Sequence, residues 1–114
     1  MTYKEIDAMV GTINIPYAYH QFPIPENPDE QGQQPPFICW YLEGIDDLYA
    51  DDTNYQRIVR LIVEYYSDEK DFTNEETIEN VLSAHGLTYA KDETYIDDEQ
   101  MHETIYEMEV LING

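Results

Sequence analysis

The stretch at residues 55–66, Tyr-Gln-Arg-Ile-Val-Arg-Leu-Ile-Val-Glu-Tyr-Tyr, limits the fold more than any other part of this chain. It is rich in β-branched and aromatic residues, which suit a pleated backbone. Alternate residues of a strand share a face, so Val59, Leu61 and Val63 point one way and Ile58, Ile62 and Tyr66 the other. A strand apolar on both faces belongs inside a sheet. The chain has 114 residues, room for one such core and not two.

The neighbouring segments supply partners for that strand. Residues 37–43 (Phe-Ile-Cys-Trp-Tyr-Leu-Glu) and residues 87–96 read as strands, and residues 17–22 alternate in part and suggest a short one. At residues 102–112, Tyr106, Met108, Val110 and Ile112 fall on one face and Glu103, Glu107 and Glu109 on the other, the pattern of a half-exposed antiparallel strand. Residues 44–54 carry turn residues, and Asp97-Asp98-Glu99 makes an acidic turn.

Two helices complete the pattern. At residues 2–13, Thr2 and Glu5 have capping-box spacing, and Ile6, Met9, Val10 and Ile13 form one apolar stripe that Pro16 prevents from running on. A second helix has Thr73 and Glu76 at the same spacing, the stripe Ile78, Val81 and Leu82, and Gly86 in the C′ position. Glu75, Glu76 and Glu79 sit near its start, where the dipole favours acid. The sum is a single α+β domain over 1–114: a mostly antiparallel sheet of about four strands with two helices on it. Residues 23–36 hold five of the six prolines and can form neither helix nor central strand. A connection of that length is a functional loop or a disordered one.

Charge narrows the function classes. Asp and Glu number 25 against 5 Lys and Arg, a formal net charge of −20, which disfavours gripping nucleic acid or anionic membranes. The acidity serves solubility, a surface that DNA must pass without sticking, or a partner with a basic face. Arg57 and Arg60 are the close basic pair, but three residues apart on a strand they face opposite sides. They serve either as salt bridges to nearby acids or as a cross-subunit ion pair. The lone Cys39 excludes an internal disulfide and a cysteine zinc site, and it sits in an apolar run as a buried thiol. The N-terminal residues lack an apolar secretory segment, and the expected compartment is cytosolic.

No catalytic constellation emerges. The acidic pairs Asp46-Asp47, Asp51-Asp52 and Asp97-Asp98-Glu99 lack the spacing of a calcium loop. His20, His85 and His102 share no ligand spacing, and His85 reads as a helix-end residue. No nucleophile turn or phosphate-binding glycine loop is present. The expectation is a binding protein with no catalytic residue, no metal and no cofactor. Eleven tyrosines favour protein interfaces over disorder.

Three groups of residues carry a family resemblance. They are Phe37-Ile-Cys-Trp-Tyr, Tyr49-Ala-Asp-Asp-Thr-Asn-Tyr55-Gln, and Leu61-Ile-Val-Glu-Tyr-Tyr-Ser-Asp-Glu-Lys-Asp71. Tyr89-Ala-Lys-Asp-Glu-Thr-Tyr-Ile96 and Glu99-Gln-Met-His-Glu-Thr-Ile-Tyr106 extend the pattern through the second half. Over residues 37–112 the chain resembles the tail-completion, or tail-terminator, proteins of siphophages and prophages. The loop at 23–36 has no counterpart in that pattern. The resemblance implies an α+β subunit of a ring, usually of six, at the head-proximal end of the tail in the virion. Such a ring ends tube polymerisation and offers a head–tail joining surface. The implied partners are further copies of the chain, the major tail-tube protein and the head–tail connector, with DNA only passing through the lumen and no membrane involved. The family has no cofactor. Arg57, Arg60, Glu103, Glu107, Glu109, Pro25 and Pro35 are the residues expected at an interface or lumen. Two alternatives stay open: a head-closure or neck connector protein, and an acidic DNA mimic that inhibits a host nuclease.

Overall fold

In a computed structural model, the two-sided apolar run is β3 (Tyr55–Ser67), the central strand of a five-stranded sheet. The structure describes residues 1–27, 29–49 and 55–113, with the side chains of 45–49, 55–57 and 113 outside the description. The order along the chain is α1 (Tyr3–Gly11), β1 (Tyr17–Tyr19), β2 (Phe37–Tyr49), β3, α2 (Phe72–Ala84), β4 (Ala90–Ile96) and β5 (Met101–Asn113). Across the sheet the order is β1-β2-β3-β5-β4. All pairings are antiparallel except β1 with β2. The sheet has one strand more than the four expected, because Tyr17–Tyr19 pairs fully with Ile38, Cys39 and Trp40.

That parallel pairing explains the proline-rich segment. Parallel neighbours cannot be joined by a tight hairpin and need a connection of roughly a dozen residues or more. Residues 20–36 are that connection. His20, at φ 70°, turns the chain out of β1. Phe22 then meets Phe37 edge-on at 5.5 Å between ring centres, which ties the connection back to the start of β2.

Both helices cover one face of the sheet. Ile6, Met9 and Val10 of α1 and Ile78 and Leu82 of α2 share a core with Ile38, Trp40, Val59, Leu61, Val63, Tyr65, Tyr106, Met108, Val110 and Ile112. These sheet residues occupy one face by register: Val63 lies opposite both Trp40 and Tyr106, and Leu61 opposite Met108. Burying each large aliphatic side chain stabilises the fold by about 1.5–3 kcal/mol. The capping box of α1 is present, with Glu5 N–H donating to Thr2 Oγ1 at 3.1 Å and Thr2 N–H to Glu5 Oε1 at 3.1 Å. At the end of α2, Gly86 adopts φ 73° while its N–H and that of Leu87 donate to the carbonyls of Ser83 and Leu82. This is a Schellman closure, which satisfies the last carbonyls of the helix.

Two local expectations are corrected. The N-cap of α2 is Asp71, not Thr73. Its carboxylate accepts from Asn74 N–H at 3.0 Å and from the Tyr65 hydroxyl at 2.9 Å, so a tertiary contact selects the cap. The turn expected from residue 44 is instead a continuation of β2 to Tyr49, while 50–54 lie outside the described residues. Gly44, at φ 61°, absorbs a bulge between the pairs Glu43–Arg60 and Asp46–Ile58.

Candidate interaction surface

Among the described residues, no helix covers the second face of the sheet. In register across β2, β3 and β5, it presents Phe37, Tyr66 and Glu103, then Cys39, Glu64 and Ile105, then Tyr41, Ile62 and Glu107, then Glu43, Arg60 and Glu109. Glu103, Glu107 and Glu109 therefore form a column on β5, as their spacing requires. Arg60 belongs to this face and donates to Glu43 at 3.0 Å, an exposed pair worth about 1 kcal/mol or less. The backbone of Arg57 pairs with Asp47 and Ile112, but its side chain lies outside the described residues, as do those of Asp46 and Asp47. Asp51 and Asp52 are outside them altogether.

Toward the start of β2 this face holds a carboxylate pair. The Tyr66 hydroxyl donates to Glu64. Burial raises the Glu103 carboxyl above its ordinary value, and the adjacent Glu64 adds to the rise. Burial likewise lifts Tyr41 to about 12 and the Cys39 thiol to about 11, with Glu64 contributing to both. Cys39 is thus buried and held as the unreactive thiol.

The connection borders this face. Together with Phe37, Cys39, Tyr66 and Glu99 it encloses a cleft of about 370 Å³, walled by Phe22, Pro23, Ile24 and Pro25. Pro25 is in that wall; Pro35 is half-buried next to the start of β2 and does not line the cleft.

The helix-covered face hides a second charged group that sequence reading missed. Glu75 is buried against the sheet, with Lys70 at 2.7 Å and Lys91 at 2.9 Å. Lys91 also meets Glu79 at 2.8 Å, Lys70 also meets Glu93, and the Tyr106 hydroxyl donates to Glu79 at 2.8 Å. Desolvation opposes charge on both lysines, yet their carboxylate partners outweigh it and hold them above the ordinary lysine value. The signal was in the sequence: Glu75 continues the Ile78–Leu82 stripe one turn toward the N-terminus. Two of the five basic residues are thereby spent on internal acids. Among the described residues, no cluster of three His, Cys, Asp or Glu side chains has metal-binding geometry. His85 caps α2, its Nδ1 2.9 Å from the Val81 carbonyl, while His20 and His102 lie beside Tyr41 and Tyr95.

No protein-family model matches the chain, and no curated protein matches it. A solved structure does. The fold resembles a chain of a gene transfer agent virion. That structure is described as the virion of a native gene transfer agent particle, and the likeness covers 96% of this chain and 84% of the other, with a TM-score of 0.51 and 14% sequence identity.

Proposed function

We propose that this chain is a structural protein of a phage-type virion, a ring subunit that caps the tail tube, ends its polymerisation and forms the head–tail joining surface. The observation that carries the reading is the likeness, over almost the whole chain, to a chain of a gene transfer agent virion. The sequence resemblance to tail-completion proteins supports the finer role. So does the charge of −20, because a ring around a DNA path works best when DNA slides through it unbound. Arg57, Arg60, Glu103, Glu107, Glu109, Pro25 and Pro35 are its interface or lumen residues. The partners are other copies of the chain, the tail-tube protein and the connector.

Self-repulsion opposes ring closure, so the free chain is monomeric at low salt and assembles as salt screens it. Light scattering across a salt series, with negative-stain imaging, tests this: rings of about six subunits with a central hole are expected, by the preference of oligomers for closed symmetry. Deleting the coding sequence from its phage is the decisive arm, and overlong tails are the expected result. Tails of normal length, joined to heads, would refute the capping role.

A further inference from the structure

Buried Glu75 and half-buried Glu79 have Lys70 and Lys91, exposed Glu43 has Arg60, and half-buried Asp71, without a cation, takes the Asn74 N–H and the Tyr65 hydroxyl. Glu64 and Glu103 have no cation among the described residues. They share the neighbourhood of the Tyr66 hydroxyl, which has one proton to donate, so one carboxylate is left without it. Neither glutamate lines the cleft formed by the connection, but both adjoin residues that do: Glu64 takes the Tyr66 hydroxyl and pairs with Cys39, and Glu103 lies opposite Tyr66 in the sheet. The Phe37 and Tyr66 rings, stacked 4.8 Å apart, and Glu99 line the cleft, and among the described residues no Lys or Arg does. Ile24, 80% exposed, stands in the wall with its apolar side chain largely uncovered.

From this arrangement we infer that the cleft receives an arginine-bearing segment of a basic protein partner, the arginine stem lying on Phe37 and Tyr66 and its guanidinium among Glu64, Glu99 and Glu103. Planar guanidinium stacks on aromatic rings and takes two carboxylate oxygens at once, and the aliphatic stem suits the apolar walls. A second copy of the chain is the poorer occupant, since three of its five basic residues, Arg60, Lys70 and Lys91, already pair with carboxylates of their own chain. The groove's chemistry is independent of whether the chain closes into a ring.

The test uses the full-length, 15N-labelled chain and three blocked peptides, Ala-Leu-X-Leu-Ala with X as Arg, Lys or Gln. The arginine peptide is expected to bind best, shifting amide signals of residues 20–22, 24, 37–41, 64–66 and 99. Glu103→Gln and, separately, Glu99→Gln should each weaken it about tenfold, the loss of one charge-assisted hydrogen bond, whereas Glu76→Gln on the exposed side of α2 should not. Glu99 lies in an exposed turn, so that variant tests the groove without risk to the core. Equal effects of the three substitutions would mean diffuse attraction to an acidic protein and would overturn the inference. Equal binding of the glutamine peptide, or dimerisation of the chain through this cleft, would overturn it as well. A chain that binds the arginine peptide but never forms rings would sink the ring and leave the groove standing.

Discussion

The buried Glu75 should respond to its two lysines as a pair and not as independent contacts. In Lys70→Met, Glu75 keeps Lys91 at 2.9 Å; in Lys91→Met it keeps Lys70 at 2.7 Å. The side chains removed are 28% and 32% exposed, so water already offsets part of each interaction. Each single change should cost about 1 kcal/mol, near the top of the range for exposed pairs. The double variant is different. It leaves a carboxylate that is 3% exposed without a cation, a situation that costs about 3–5 kcal/mol. The coupling is therefore about 1–3 kcal/mol beyond the sum of the singles. Urea unfolding followed by the fluorescence of Trp40 measures all three. Adding Glu75→Leu to the double variant should restore most of the loss, because the unpaired charge is then gone. A double variant no worse than the sum of the singles would refute this account of the cluster.

Three further outcomes are expected. Asp71→Ala should cost about 1–2 kcal/mol in urea unfolding while Thr73→Ala costs a few tenths at most, since Asp71 is the N-cap of α2; comparable losses would restore Thr73 as the cap. Gly86→Ala should cost about 1 kcal/mol through left-handed strain alone, because an added Cβ there meets nothing within 4 Å. Glu103 binds its proton more tightly folded than unfolded, so its favourable contribution is present below its ordinary value of 4.5 and is lost as pH rises through the folded value. Glu103→Gln should therefore be more stable than the parent at pH 7 by up to about 1 kcal/mol, the scale of a like-charge cross-strand pair, and the gap should close below pH 4.5; a less stable variant at pH 7 would contradict the proximity to Glu64.

Periodicity alone determined which side chains share a face. The alternation of Val59, Leu61 and Val63 against Ile58 and Ile62, and of Tyr106, Met108 and Val110 against Glu107 and Glu109, follows from the two-residue repeat of a strand and needs no tertiary information, although Ile62 is buried on its own face as well. The Thr2–Glu5 capping box and the glycine closure at Gly86 are also local, because the groups that satisfy the backbone lie within a few residues of it. Tertiary structure decided what depends on partners distant in sequence. Asp71 outcompetes Thr73 as a cap because Tyr65 and Asn74 are placed to hold its carboxylate. Glu75 looks like an ordinary first-turn acid until the sheet brings Lys91 under it. The proline-rich connection looks like a long free loop until β1 is found parallel to β2, which demands a crossover of about that length. Glu64 and Glu103 lie far apart in the chain and become neighbours only because β5 pairs with β3, and no local rule encodes which strands of a sheet will be adjacent.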